Sequence, residues 1–360
     1  MSHVPVKTQE GDLGICYAFV AAQMVDAYRF SHAPPEGDRD FSRLTSPLAV
    51  ATQTQTHDYN RDPILNGGET HRALDVLRSS GSCDSRLVEG RFNWYSKRLV
   101  LASMKPYLNR AAYERAVRDY EAEQKKNEKS RALSQTPTTV PPLDKTTREY
   151  LKTRPDVKKM SPDELSKLIT RLQKKDPVFL ENMSSCDGNT NVADTFVQSF
   201  YDVVNSFFER GERVIELNAA ITRSCSEKPR RPFEYKAHTL ERGAIYTRKL
   251  LQKIINERLS GPDPVQPFKI GFCQNILFRG NSYRGVTNIG LTTLLAKNCQ
   301  PHAALIIGRR VKNGTCQFLV RNSWGTSCCP YSREWDCEKG NIWVDADSLM
   351  ENVYNVSYLE

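Results

Sequence analysis

From about residue 266 onward the chain changes texture, and that change limits the fold more than any other feature. "FKIGFCQNILF" (268–278), "HAALIIGRRV" (302–311), "CQFLVRNSW" (316–324) and "GNIWVD" (340–345) are short β-type runs separated by Gly, Asn and Pro. The strands are gathered at the end of the chain, so alternating βαβ units are excluded. The order predicts an α+β fold: a helix first, a helical middle, and an antiparallel sheet last.

The first helix is "ICYAFVAAQMVDAYRFSH" (15–32), apolar-rich and without internal Gly or Pro, stopped by Pro34–Pro35. A Gly-Gly turn and a short helix ending at Gly81 follow in "LNGGETHRALDVLRSSG" (65–81). From about residue 92 the sequence becomes charged and helix-favouring, broken by the Pro/Thr-rich "SQTPTTVPPLDKTT" (134–147). "SPDELSKLITRLQKK" (161–175) carries Ser161 as N-cap, Pro162 at the first helical position and Glu164 at the capping-box position. Between 192 and 221, Phe196, Phe200, Val203, Val204, Phe207 and Phe208 recur at helical spacing, and "GAIYTRKLLQKIINERLSG" (243–261) reads as an amphipathic helix. Three segments follow: 1–91 with the first helix, a helical and partly basic 92–243, and a β-rich 244–360.

Hydrophobic content is 39 % and mean hydropathy is −0.56. No run approaches the roughly 20 apolar residues of a membrane helix, so no membrane partner is expected. Residues 1–15 lack the continuous apolar region of a signal peptide. The net charge of +9 is uneven, because residues 91–180 hold 21 Lys and Arg against 11 Asp and Glu. Few aromatics interleave those basic residues, which argues against a nucleic-acid partner and for the solvated face of charged helices.

Ten cysteines (16, 83, 186, 225, 273, 299, 316, 328, 329 and 337) are many for a reducing compartment and favour a periplasmic or secreted setting with disulfides. The missing leader argues the other way, towards the cytoplasm. No pair of CxxC motifs stands at zinc spacing. If Cys16 is a free thiol, nine cysteines remain and at least one more is unpaired. Cys299 is a candidate to pair with Cys328, Cys329 or Cys337, a connectivity that spacing leaves open.

Cys16 stands where the first helix begins, and a helix N-terminus favours a thiolate, the nucleophilic form. A base must come from elsewhere. Of the six histidines, His3, His32 and His57 lie in terminal or Pro-flanked polar stretches, and His71 and His238 in helix-like or charged ones. His302 opens an apolar strand, and Asn322 stands 20 residues on in the next run. A hairpin would set the Asn322 amide beside the imidazole, fixing its tautomer and aiming its other nitrogen at a thiolate.

"GICYAF" around Cys16, "HAALIIG" at His302 and "NSWG" at Asn322 together resemble the papain family of cysteine proteases. "NGGE" (66–69) is similar to that family's substrate-binding glycine turn, and "GNIWV" to its final strand. The resemblance implies a papain-like two-lobe fold and peptide hydrolysis through an acyl-enzyme, with no metal or organic cofactor. It makes Cys16 the nucleophile, His302 the base and acid, and Asn322 the group that orients His302. Trp324 would shield that pair and line the leaving-group side, and Gly67 and Gly68 would pair with an extended peptide or protein substrate.

The chain departs from the family at several places. The family's second oxyanion donor is a glutamine six residues before the cysteine; here that position is Glu10, and Gln9 is seven back. An extra loop residue would deliver Gln9, the favoured candidate, whereas an ionised Glu10 would oppose the developing charge. Losing such a donor costs about 10²–10³ in rate. Tyr17 replaces the commoner tryptophan, Leu13 a cysteine, and Pro301 an Asn or Asp. Cys16 and His302 are 286 residues apart, against roughly 130–150 in the family. The excess lies in 92–243, read as an inserted helical subdomain that borders the cleft, recruits a partner or does the job of a propeptide. Two other functions remain open: a papain-like binding protein with weakened catalysis, and a Cys-His-Asn transpeptidase or amidase.

Overall fold

A computed structural model of the chain describes residues 14–32, 44–56, 67–88, 218–219, 221–222, 225, 234–261, 266–289, 292–325 and 328–360. The sequence-predicted helices between 92 and 217 lie outside the described residues, as do Gln9 and Glu10.

Helix α1 (Cys16–His32) is buried along nearly its whole length, which is why its sequence is apolar on every side. It packs against α2 (Pro47–Thr56), α3 (Thr70–Ser80) and the sheet. A short α4 (Ser85–Val88) follows, and Gly81 ends α3 at φ 77°, a conformation glycine adopts without strain. Three buried polar residues interrupt the apolar face of α1: Gln23, whose Nε2 donates to the Phe19 carbonyl at 3.3 Å, Asp26 and Arg29. Asp26 accepts from the Thr45 amide at 3.0 Å and the Thr45 hydroxyl at 2.6 Å, and Arg29 donates to Ser82 Oγ at 2.6 Å. Asp26 and Arg29 tie neighbouring loops to the helix, so their burial leaves hydrogen-bonding groups satisfied.

The remaining elements are β1 (Ala237–Glu241), α5 (Arg248–Arg258), β2 (Phe268–Cys273), α6 (Asn275–Arg279), β3 (Val286–Ile289), β4 (Thr292–Leu295), β5 (Pro301–Lys312), β6 (Thr315–Arg321), β7 (Asp336–Glu338), β8 (Asn341–Asp345), α7 (Ala346–Asn352) and β9 (Val353–Leu359). Strands β3 and β4 form a separate hairpin; the other seven make one antiparallel sheet in the order β1-β9-β2-β5-β6-β8-β7. The architecture is α+β. Strand β1 falls within the 92–243 segment, yet it forms the edge of this sheet, and Ile221, Cys225 and Tyr235 join the core around α1.

Strands β2 and β5 carry apolar residues on both faces because both faces are covered. Ala303 and Leu305 belong to the core of α1–α3, whereas Phe268, Ile270, Phe272, Ala304 and Ile306 belong to the core beneath α5 and α7. The run "FKIGFCQNILF" therefore splits. The strand ends at Cys273, the Gln274 amide bonds to the Gln300 carbonyl, and 275–279 coil into α6.

The disulfides correct one expectation. Cys299 bonds Cys273, not a cysteine of the loop after "NSWG"; the β2–β5 pairing of Cys273 with Pro301 brings the two together. Cys328 bonds Cys337, and Cys83 bonds Cys225 across 142 residues. Cys16 and Cys316 are free thiols among the described residues. These disulfides suit an oxidising compartment. No helix among the described residues is long and apolar enough to cross a membrane.

Candidate active site

Helix α1 begins at Cys16, and the Ile15 carbonyl accepts from the amides of Ala18 at 3.0 Å and Phe19 at 3.1 Å. The amides of the first turn are the donors a helix leaves unpaired. One of them, from Tyr17, points at the Cys16 sulfur, and the Ala303 amide approaches it from β5. The thiol thus stands between the start of a helix and the start of a strand.

Strand β5 delivers His302 to the same place. The β5–β6 hairpin turns at Asn313–Gly314, both at positive φ (51° and 75°), a pair of conformations that suits a tight hairpin. From there the strands run in register to Gly308 opposite Leu319, shift by a bulge, and continue with Leu305 opposite Arg321. Asn322 follows immediately, and its Oδ1 lies 2.8 Å from Nε2 of His302. An amide oxygen only accepts, so Nε2 carries the proton and Nδ1 is left for Cys16, to which the ring is hydrogen-bonded.

The amide is itself held. Its Oδ1 also accepts from the Ser323 amide at 2.8 Å, and its Nδ2 faces the Tyr331 hydroxyl at 3.4 Å. Trp324 leans on the His302 ring at 5.6 Å between centroids and stacks on Tyr331, also at 5.6 Å. Phe272, directly opposite His302 in the β2–β5 register, meets the ring edge-on at 5.9 Å. His302 is 8 % exposed and Asn322 1 %. Water is thereby kept from the amide–imidazole bond, which strengthens it.

Burial works against charge on both reacting groups. It pushes the Cys16 thiol up, but the His302 charge, its hydrogen bond, and the Ala303 and Tyr17 amides outweigh it, and the thiol lies below its ordinary value. Burial likewise pulls His302 down, yet the Cys16 charge and the bonds to Cys16 and Asn322 leave it above its ordinary value. Opposite shifts in a touching pair favour thiolate and imidazolium over two neutral groups.

Gly67 and Gly68 precede α3 and are exposed. The Gly67 amide donates to the Gly14 carbonyl at 2.9 Å, which fastens the turn beside the start of α1. Gln55 Nε2 bridges the Gly67 carbonyl at 2.5 Å and the Tyr17 hydroxyl at 3.1 Å. A Cβ on Gly68 would stand 2.5 Å from the Tyr17 ring, so only glycine fits there, while nothing lies within 4 Å of a Cβ on Gly67.

Cys16, His302, Asn322, Trp324, Gly67 and Gly68 are thus placed around one end of α1. Sequence reasoning missed Phe272, Tyr331 and the Ala303 amide. Phe272 sat in a recognised strand and the β2–β5 register was the signal needed; Tyr331 arrives through an irregular loop that no pattern marks. Among the described residues, no group of three or more His, Cys, Asp or Glu side chains is placed to hold a metal ion.

No protein-family model matches the chain. No curated protein matches it either. Among solved structures it is similar to PepW from Lactobacillus rhamnosis HN001 (DR20), a crystal structure of the selenomethionine derivative. The two are 12 % identical, the match covers 99 % of this chain and 80 % of PepW, and the TM-score is 0.35. At that level of overlap, function rests on the site itself.

Proposed function

We propose that this chain is a papain-like cysteine peptidase that cleaves peptide bonds through an acyl-enzyme. The observation that carries the reading is the contact of Cys16, His302 and Asn322, three residues from separate elements, with the thiol lowered and the imidazole raised. On this reading the Cys16 thiolate attacks the scissile carbonyl carbon, and the carbonyl electron pair moves to oxygen. The Cys16 amide is one donor to that oxyanion. Gln9 is the expected second. Collapse of the tetrahedral species expels the amine, which takes the proton from His302. The thioester is then attacked by water, which gives its proton to His302 and leaves a carboxylic acid and the restored pair. Asn322 keeps the imidazole aimed through both halves.

The substrate backbone would lie along the exposed Gly67–Gly68 turn, with its leaving side against Trp324. In the finer fold that this reading implies, 1–91 and 244–360 form two lobes, Ile221, Cys225 and Tyr235 add to the first and β1 to the second, and the remainder of 92–243 is a subdomain between them. Its role would be to cover the cleft, hold a partner or act in place of a propeptide. The disulfides among the described residues support a periplasmic or secreted setting.

The test is a fluorogenic peptide library offered to the wild type and to Cys16→Ala, Gln9→Ala and Glu10→Gln, with an added amine acceptor in a parallel series. Hydrolysis that disappears with Cys16→Ala supports the reading. Cleavage that persists in Cys16→Ala removes it. Transfer to the amine in preference to water identifies a transpeptidase, and a Cys16 that binds peptides without turning them over identifies a binding protein.

A further inference from the structure

Lys269 is a buried cation that the mechanism leaves unused. It stands in the middle of β2 at 6 % exposure, opposite Leu305 of β5 and Ser357 of β9. Residues directly paired in an antiparallel sheet share a face. Leu305 and Ala303 pack into the core around α1, so Lys269 and Gly271 face the side of the sheet from which Cys16 approaches. A lysine there is costly to bury unless its charge is used.

Its immediate surroundings do not neutralise it. Lys269 Nζ donates to Asn355 Oδ1 at 2.5 Å, and the amide passes the contact on, Asn355 Nδ2 donating to Glu241 Oε1 at 3.4 Å. Asn355 is the one acceptor that Nζ has among the described residues, so two of its three N–H bonds have none. Burial pulls its pKa down to about 8, and three negative groups from three different elements work against that from a distance: Glu241 of β1, the Cys16 thiolate of α1, and Glu69 just after the glycine turn. None of them forms an ion pair with it among the described residues. Tyr354 of β9 completes the surroundings, within reach of Cys16 and Glu241.

The strand order gives this cation a side. Trp324 follows β6, whereas Lys269 on β2 and Asn355 on β9 lie across β5 from it. His302, at the start of β5, stands between the two. If the leaving amine departs past Trp324, the acyl half of a substrate lies over β2, between Gly67–Gly68 and the Lys269–Asn355 pair. Gly271 shows how tightly that ground is used, because a Cβ there would fall 2.2 Å from Asn355 Oδ1 and 2.7 Å from the Tyr354 ring.

We infer that Lys269 is a specificity-determining residue whose ammonium, held in place by Asn355, donates to the carboxylate of an Asp or Glu side chain on the acyl side of the scissile bond. This rests on the peptidase reading. The carboxylate supplies the acceptors that Nζ lacks, in a site where burial makes a charge-assisted bond count. An Asn or Gln in the same place offers one uncharged oxygen and is the measure of the effect.

The test uses peptidyl chloromethyl ketones that alkylate Cys16, with Asp, Glu, Asn, Gln, Leu and Lys placed in turn at each of the first three acyl-side positions. The readout is the inactivation rate with mass-spectrometric assignment of the modified cysteine, so turnover is not required. Asp or Glu at one position is expected to react at least about 10-fold faster than its amide. That ratio should fall towards unity in Lys269→Met, persist in Lys269→Arg, and invert in favour of lysine in Lys269→Glu. Should these variants not fold, the wild-type ratio read across pH serves in their place: a fall between pH 7 and 9 supports the inference and a flat ratio overturns it. A wild type without acidic preference at any position overturns the inference, as does Lys269→Met retaining one. Peptidyl ketones that react no faster than iodoacetamide overturn the peptidase reading itself, a result distinct from peptide-directed reaction without acidic preference.

Discussion

Asn322 and His302 are joined by a bond of 2.8 Å between Oδ1 and Nε2, in a pocket closed by Trp324, Tyr331 and Phe272. That bond does two things. It fixes which ring nitrogen faces Cys16, and it supports the protonated ring, one of the causes that raise His302. Asn322→Ala is therefore expected to lower kcat by about 10- to 100-fold, the worth of a buried charge-assisted hydrogen bond. KM should change far less. The alkaline limb of the kcat/KM profile should also move to lower pH, because His302 loses that support. An Asn322→Ala enzyme with an unmoved alkaline limb would show that the amide does not act through the imidazole.

The Cys16–His302 pair predicts a bell. Cys16 is lowered, so reactivity appears as pH rises through the thiol's depressed value. His302 is raised, so reactivity is lost only as pH rises through the imidazole's elevated value. The two limbs belong to the coupled pair and not to either residue alone. Iodoacetamide at pH 6 should accordingly modify Cys16 well before Cys316, the other free thiol of the described residues. His302→Ala should abolish that selectivity by returning the Cys16 thiol to the control of burial, which pushes it up. Equal labelling of the two thiols in the wild type would contradict the paired state.

The sequence exposed the parts whose pattern is set by two covered faces or by one long apolar surface. Helix α1, strands β5, β6 and β8, and the helix that ends at Gly81 all announce themselves in this way. Strand β9, "VYNVSYL", does not, because Tyr354 and Asn355 interrupt its apolar alternation, Asn355 where it accepts from Lys269. Helix α2, "PLAVATQTQT", is short and has almost no amphipathic contrast, and its burial comes from α1 and α3 above it. The disulfide partner of Cys299 depended on the β2–β5 register, a long-range fact that spacing does not carry. Cys16, His302 and Asn322 were legible for the opposite reason: each sits at the edge of a strongly patterned element. Lys269 was hidden inside such a pattern, as one polar residue in a strand.

Gly68 and Tyr17 make a steric prediction. The Tyr17 ring occupies the space a Cβ at position 68 would need, at 2.5 Å, and its hydroxyl is held by Gln55. Gly68→Ala must displace the ring or the turn, at a cost of about 1–3 kcal/mol in stability. The displaced turn should also lower kcat/KM, since the exposed backbone at 67–68 is the proposed track for substrate. Tyr17→Leu in the Gly68→Ala background should recover part of the stability, a coupling of about 0.5–3 kcal/mol in a double-mutant cycle read by chemical denaturation. Strict additivity of the two substitutions would mean that the ring is not what excludes a side chain at Gly68.

The Cys273–Cys299 disulfide stands three residues before His302 and ties the end of β2 to the approach to β5. Its loop is short in sequence, 26 residues, so its removal by Cys273→Ala with Cys299→Ala is expected to lower stability by about 2–4 kcal/mol. The site-specific consequence is separate from that figure. Gln300, between the disulfide and His302, donates its amide to Asn275 Oδ1 at 2.8 Å and accepts from the Gln274 amide at 3.0 Å. These bonds hold the start of β5 without the disulfide, so the double variant should retain the order of alkylation, Cys16 before Cys316, even as its denaturation midpoint falls. If Cys16 instead becomes as slow as Cys316 while circular dichroism stays native, the covalent tie and not the Gln274–Gln300 hydrogen bonding is what seats His302 against the thiol.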